Sequence, residues 1–287
     1  MTAVYRKELK TYFTGMTGAI FIGFLLLLTG IFMTVYNLRG LYPNFEYALS
    51  GVSFIYLFAV PVLTMRSVAE EKHAKTDQLL YSLPMTVGEI VCAKYAAMLT
   101  VLAIPCGVMA FYPLILTSFG NVHLATAYST LLAFFLLGSA LIAIGLFISS
   151  LTESQVIAAV VSLGAMVLLN FMSGIASLVP ASSAASLAGC IVLAVIAGLI
   201  VHVMIKNSVI TAAVTAVLAA VCVLFYLMDS SAFEGFIPAL LAKLALFDHL
   251  STFQNGIFDL TAVIMYISAS VLFVYLTVQS MEKKRWN

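Results

Sequence analysis

Long apolar stretches recur along most of this chain of 287 residues. A helix needs about 20 mostly apolar residues to cross the hydrocarbon core of a bilayer. The fold class we expect is therefore all-α, a polytopic membrane helical bundle of about eight transmembrane helices that forms a single transmembrane domain over residues 1–287. The predicted spans are residues 17–38, 48–65, 95–117, 125–151, 156–179, 186–205, 209–228 and 260–280.

The composition agrees with a membrane protein. Hydrophobic residues make up 63% of the chain and charged residues 9%, whereas soluble domains carry about 25% charged residues. The net charge of +1 does not indicate a nucleic-acid partner. The four cysteines occur singly, without a C-x-x-C pair, so we expect them to be packing residues and not zinc ligands or a redox pair.

Basic residues are distributed unevenly between the two predicted sides of the membrane. If the N-terminus is cytoplasmic, 11 of the 13 Lys and Arg residues lie inside, and only Arg39 and Lys243 lie outside. Cytoplasmic loops are enriched in Lys and Arg. We therefore predict an even number of spans with both termini in the cytoplasm, in a bacterial plasma membrane.

Three non-membrane segments are long enough to have functions of their own: residues 1–16, 66–94 and 229–259. The first has apolar residues at helical spacing, which predicts an amphipathic helix along the inner membrane interface. A simple membrane anchor fits that helix equally well. The third is apolar with few charges, and we expect it to lie in the extracytoplasmic interface. The apolar residues of the N-terminal helix are Tyr5, Leu9, Tyr12, Phe13 and Met16.

No sequence pattern for catalysis is present. The chain has no G-x-x-x-x-G-K-[ST] phosphate loop, no H-E-x-x-H and no G-x-S-x-G. The predicted spans contain no Asp, Glu, Lys or Arg, which ion and proton pumps place at membrane depth. We predict that the chain is neither an enzyme nor an ion pump and that it holds no metal and no cofactor of its own.

The segment 66–94 is predicted to form a helix, a corner and a second helix. Its first half is charged, and its later leucines share one helical face before Pro84, which must end that helix. Thr86 and Glu89 have the spacing of a capping box, so a new helix should begin there and continue into the third span. A solvated loop between two spans fits the same residues equally well.

A specific set of residues in this segment follows a known pattern: Arg66, Glu70-Glu71-Lys72, Thr76, Leu79-Leu80, Leu83-Pro84, Glu89 and Lys94. The pattern resembles the first inner loop of ATP-binding-cassette (ABC) type-2 permeases. This chain has Lys75 where members of that family often have Gly before the Thr. The stretches at 247–260 and 282–286 resemble the gliding-motility permease (GldF-like) branch of the family.

The resemblance implies that the chain is the membrane-spanning permease subunit of an ABC exporter. In that family the inner loop forms a coupling helix that docks on separate ATPase subunits, which bind ATP and Mg. The N-terminal helix is implied to lie beside the coupling helix. From the sequence itself we expect a second, smaller contact at Glu153 and Ser154. The residues implied to couple to the ATPase are Glu70, Glu71, Lys72, Thr76, Asp77, Leu79, Leu80, Leu83 and Pro84.

Further partners are implied as well. The permease pairs with a second copy or with a related permease, contacts membrane lipids, and can carry an accessory extracytoplasmic protein. Two other functions stay open on the sequence: a nucleotide-independent channel, and a membrane anchor for an ATPase that transports nothing. The substrate is open too, since a lipid, a peptide and a hydrophobic drug all suit such apolar spans.

Overall fold

The computed structural model describes residues 1–76, 85–205, 208–228 and 233–286, with side chains described only in part between residues 193 and 228 and at the C-terminal end. In these ranges all regular secondary structure is helical, as predicted. The helices are α1 (Thr2–Thr14), α2 (Thr17–Met33), a π-helix (Thr34–Arg39), α3 (Phe45–Ser53), α4 (Tyr56–Thr64), α5 (Ala69–His73), α6 (Val87–Met109), α7 (Tyr112–Leu116), α8 (Leu124–Leu151), α9 (Gln155–Asn170), α10 (Met172–Leu178), α11 (Ser183–Ile205), α12 (Ser208–Met228), α13 (Phe236–Leu244), α14 (His249–Gln254) and α15 (Leu260–Trp286).

Four stretches are long and apolar enough to cross a membrane: Thr17–Arg39, Val87–Leu116, Leu124–Leu151 and Leu260–Lys283. Two bent pairs raise the number to six if each pair is one span: α3 with the stretch Tyr56–His73, which contains α4 and α5, and α9 with α10. The sixth and seventh predicted spans coincide with α11 and α12, whose side chains are described only in part. The total of eight therefore stays a prediction.

The chain divides into two compact units, of which the first comprises residues 1–168 and 246–287. Helix α8 is its centre, because 78% of the most apolar window of α8 is buried, against 22% in α2 and in α15. Helices α3, α4, α6, α14 and α15 all pack on α8. A helix surrounded in this way needs apolar residues on every side, as the sequence of α8 provides.

Glycines let α8 approach α4 closely. A Cβ added at Gly145 would lie 3.0 Å from the Cβ of Thr64, and one added at Gly138 would lie 2.9 Å from the hydroxyl of Tyr56. That hydroxyl donates a hydrogen bond to the carbonyl of Phe134 at 3.1 Å. Small residues permit such helix contacts in membranes, and α4 leads directly into the 66–94 segment.

The second unit comprises residues 169–245 and contains α10 to α13. Helix α11 packs on α12, and α13 packs on α10 and α11. The predicted 229–259 segment contains two short helices, α13 in this unit and α14 in the first unit, while residues 229–232 lie outside the described residues.

Candidate functional site

Helix α1 packs on α6 through one face that contains Val4, Glu8 and Tyr12. The hydroxyl of Tyr5 shares a hydrogen bond of 2.9 Å with that of Thr100 on α6. Burial and the neighbouring Glu8 raise the pKa of Tyr12, so its phenol stays neutral. This face is therefore in contact with protein.

The predicted apolar stripe of α1 is thus divided between two surroundings. Tyr12 is buried in the protein, Tyr5 and Leu9 are half-buried, and Phe13 exposes 44% of its surface. Phe13 remains available for contact with lipid, as an interface helix requires.

Helix α5 is attached to the end of α8. The hydroxyl oxygen of Ser149, near the end of α8, accepts hydrogen bonds from the amides of Val68 at 3.2 Å and of Ala69 at 3.1 Å. The ammonium of Lys72 donates a hydrogen bond to the carbonyl of Ser150. A cation at the C-terminal end of a helix is favoured by the helix dipole, so two kinds of contact hold α5 on α8.

Lys94 lies two turns into α6, where it is almost completely buried. Its side chain is 1% exposed, and its ammonium lies 2.9 Å from Glu8 Oε1 and 2.9 Å from Glu71 Oε2. It also donates a hydrogen bond to the carbonyl of Ser67 at 2.8 Å. One cation therefore connects α1, the chain before α5, α5 itself and α6.

A second cation completes this group. The ammonium of Lys7 lies 3.3 Å from Glu71 Oε1 and 3.9 Å from Glu8 Oε1, and its side chain is 58% exposed. We call Lys7, Glu8, Ser67, Glu71 and Lys94 the Lys94 cluster. Its two cations balance its two carboxylates, which makes burial of the charges tolerable.

The outward surface of the same segment is polar and open. Arg66 and Glu70 are exposed and 3.9 Å apart, a weak pair, and Thr76 is exposed as well. A cleft of about 470 Å³ separates this surface from α1. Residues 66–76 thus have an inward side bound to the membrane helices and an outward side open to solvent.

The structure separates the residues that the sequence grouped as an ATPase contact. Glu71 and Lys72 point inward, into the Lys94 cluster and onto α8, whereas Glu70 and Thr76 face solvent. The remaining predicted coupling residues lie outside the described part of the chain: Asp77, Leu79, Leu80, Leu83 and Pro84.

The predicted start of the next helix is confirmed. The Thr86 hydroxyl accepts from the amide of Glu89 at 3.2 Å, and the Glu89 carboxylate accepts from the amide of Thr86 at 3.1 Å. This reciprocal capping box begins α6 and so sets the position of Lys94 two turns later.

The predicted second contact lies between α8 and α9. The Ser154 hydroxyl accepts a hydrogen bond of 3.4 Å from the amide of Ile157, at the start of α9, and Glu153 is exposed. Ser154 therefore has a local structural role as a helix cap, and a partner contact there stays a prediction.

Sequence reasoning missed Glu8 and Ser149. Glu8 falls between Val4 and Tyr12 at four-residue intervals, so an acidic residue sits on the face that α1 buries. Glu8 on the buried face of α1, together with Lys94 at the start of an apolar span, could have suggested an ion pair between α1 and α6. Nothing in the sequence distinguishes Ser149 from the other serines of α8.

The described residues contain no group of three or more His, Cys, Asp or Glu side chains that could hold a metal ion. Comparison with known protein families identifies the family to which the chain belongs. The family described as ABC-2 family transporter protein matches residues 17–278. No curated protein and no solved structure matches the chain.

Members of that family are transmembrane transport subunits that associate with ABC ATPase subunits and are not themselves catalytic. The described helices α2, α6, α8 and α15 agree with a multi-pass membrane protein of this kind. The chain belongs to the ABC-2 transporter family, as a membrane permease subunit.

Proposed function

We propose that this permease subunit is driven by ATP, exports its substrate, and couples to separate ATPase subunits through the 66–94 segment. The ATPase subunits bind ATP and Mg, and the permease works as a homodimer or with a related permease. It belongs to the gliding-motility (GldF-like) branch and lies in a bacterial plasma membrane with both termini cytoplasmic. Residues 1–287 act as one transmembrane domain, which contacts membrane lipids and can carry an accessory extracytoplasmic protein.

The two-sided construction of residues 66–76 carries this proposal. The inward side is bound to α1, α6 and α8 through the Lys94 cluster, Ser149 and the Ser150 carbonyl. The outward side, with Glu70 and Thr76, is free to meet a partner. A segment that transmits movement needs both properties, because a partner must reach it and it must not shift independently of the spans.

The proposed mechanism follows from this attachment. Nucleotide binding closes the ATPase subunits and displaces the segment that docks on them. Because packed helices respond by discrete movements instead of continuous deformation, the displacement of α5 moves α1, α6 and α8 together. The ATPase must contact the segment differently in the two membrane states, since only differential affinity shifts an equilibrium.

The docking surface can be tested by reversing the charge at Glu70 and placing a charge at Leu80. We expect a permease with Glu70→Lys and Leu80→Asp to lose the ABC ATPase that copurifies with the wild-type chain. The Glu70→Lys change by itself should leave the yield and thermal midpoint unchanged, because Glu70 is exposed and its side chain makes a weak pair with Arg66. Glu282→Lys, at the end of α15, is the matched control and should keep the ATPase. Equal ATPase recovery with all three proteins would rule out this surface.

Flux measurements separate the transporter from the two alternatives. Vesicles containing the assembled complex should accumulate a fluorescent lipid, peptide or hydrophobic dye only when ATP is supplied. Flux without nucleotide would identify a channel, and ATP hydrolysis without flux of any probe in the panel would favour a membrane anchor.

A further inference from the structure

Two buried polar side chains lie where the chain passes from the π-helix after α2 into α3. Asn37 is 5% exposed and Glu46 is 2% exposed. Asn37 belongs to the π-helix, a rare element that is frequent at functional sites. Glu46 is the second residue of α3 and precedes the second predicted span.

The hydrogen bonds of these two side chains leave one oxygen of each without a partner. The Asn37 amide nitrogen donates to the carbonyls of Tyr42 at 2.7 Å and Asn44 at 3.0 Å, while its Oδ1 accepts nothing. Glu46 Oε2 likewise has no hydrogen-bond partner. Buried polar groups are almost always satisfied, so these exceptions need an explanation.

A proton accounts for the Glu46 side chain better than a metal ion does. An ionised carboxylate with a buried, unpartnered oxygen is disfavoured, and a group in such a site neutralises instead. A proton on Oε2 removes the charge and converts an unpartnered acceptor into a donor. Hard metal ions such as Ca²⁺ take six or more oxygen ligands, and no acidic or histidine group of that kind exists among the described residues.

A histidine lies within electrostatic range of Glu46. His123, the exposed residue before α8, interacts electrostatically with Glu46. Helix α2 packs on α3 and has no ionisable side chain, and the other elements that pack on α3 are the π-helix, α7, α8 and α14. The ionisable residues on those elements or at their starts are Tyr36, Arg39, Tyr112, His123, Tyr128, Asp248 and His249.

We propose that Glu46 is a proton-binding site, whose carboxyl group holds one proton in the conformation that buries α3. A rearrangement that exposes Glu46 then releases this proton to water, next to the exposed His123. The packed conformation is therefore favoured by acid. Under the proposed orientation of the chain, Glu46 lies on the extracytoplasmic side. The proton site itself does not depend on that orientation.

Thermal unfolding of the full chain in detergent across pH tests the site. If the folded chain holds a proton that the unfolded chain loses, stability falls as pH rises through that range. Glu46→Gln mimics the protonated group and removes the titration. Its midpoint should stay close to that of the wild type at about pH 5 and exceed it increasingly towards about pH 8.

Glu234→Gln is the control, because Glu234 is exposed and lies on the same predicted side. Its midpoint should follow the wild type at every pH. Two results would overturn the proposal: parallel pH curves for Glu46→Gln and the wild type, or a Glu46→Gln protein that is the less stable one at high pH or fails to fold.

Infrared spectroscopy of the wild-type protein provides a readout that does not depend on stability. A protonated carboxylic acid has a C=O stretch distinct from that of a carboxylate and shifts in D₂O. We expect such a band at neutral pH that is missing from Glu46→Gln and retained in Glu234→Gln. A wild-type spectrum with carboxylate bands alone would contradict the proposal.

Discussion

Lys94 has three N–H donors and three close oxygen partners. An ammonium group can donate three hydrogen bonds, and the oxygens of Glu8, Ser67 and Glu71 lie 2.8 to 2.9 Å away. The charge is buried, yet it is fully surrounded. A residue in this setting contributes mainly by fixing positions, because burying the charges offsets much of the attraction between them.

Removing that ammonium should be costly. We expect Lys94→Met to lower the free energy of unfolding by about 3–5 kcal/mol, because two carboxylates, 8% and 13% exposed, lose their buried cation. Thermal or denaturant unfolding in detergent measures the change. Lys10→Met, at an exposed position of α1, should change stability little. A Lys94→Met protein as stable as the wild type would show that the cluster does not fix these positions.

Lys75 adopts a backbone conformation that suits glycine. Its φ of +55° lies in the left-handed region, which costs a residue with a Cβ about 1–2 kcal/mol. The type-2 permeases that this segment resembles often have Gly here. We expect Lys75→Gly to raise the thermal midpoint of the chain, whereas Ala74→Gly, at φ −78°, should not. A lower midpoint for Lys75→Gly would show that the lysine side chain contributes more than the strain costs.

Individual residue roles could be predicted from the sequence where the contacts are local. The Thr86 and Glu89 capping box depends on residues three apart, and the structure shows it as predicted. The partners of Lys94 are 86 and 23 positions away in sequence, at Glu8 and Glu71, so no local pattern reveals them. The sequence pattern assigns Glu71 and Lys72 to the docking surface. No local pattern in the sequence indicates that both side chains point inward.

Helix α5 depends on its neighbours for its existence. It has five residues, far fewer than the roughly 12 to 15 at which isolated helices become even marginally stable. Ser149 satisfies the amides of Val68 and Ala69, and α8 supplies the carbonyl for Lys72. The position of α5 is therefore set by the end of α8.

Substitution of Ser149 tests this attachment. Ser149→Ala leaves two buried amides without an acceptor, and we expect a loss of about 1–3 kcal/mol in stability. Ser150→Ala is the matched control, because the Ser150 hydroxyl bonds only within its own helix, to the Phe147 carbonyl at 2.7 Å. Hydrogen exchange of residues 66–76 should increase in Ser149→Ala alone. Equal exchange in the two variants would contradict the attachment.

The contact of α8 with α4 is a second element-scale feature. A Cβ at Gly145 would overlap the side chain of Thr64, whereas one at Gly107 on α6 meets nothing within 4 Å. We expect Gly145→Ala to cost about 1–3 kcal/mol through forced displacement, and Gly107→Ala to be neutral or stabilising. Thermal midpoints of the two variants decide the point, and equal midpoints would contradict close α4–α8 packing.

At the scale of the whole molecule, the all-helical class and the membrane character could be predicted from apolar stretch length alone, since spanning a bilayer restricts the backbone to helices or barrels. The breaks inside two predicted spans could not be predicted, because the residues at the breaks, Phe54-Ile55 and Phe171, are not helix breakers. The bend of 57° between α3 and α4 arises where the ladder of α-helical hydrogen bonds is interrupted. The division into two units also has no marker in the sequence.

The central claim is that the Lys94 cluster transmits ATPase movement to the spans. Glu71→Gln weakens the link to α5 while leaving Lys94 paired with Glu8. The most direct test is the ratio of substrate transported to ATP hydrolysed in proteoliposomes that contain the assembled transporter. The account predicts that Glu71→Gln hydrolyses ATP but lowers this ratio by about tenfold, while Lys10→Gln, at an exposed position of α1, keeps the wild-type ratio. An unchanged ratio in Glu71→Gln would contradict the claim.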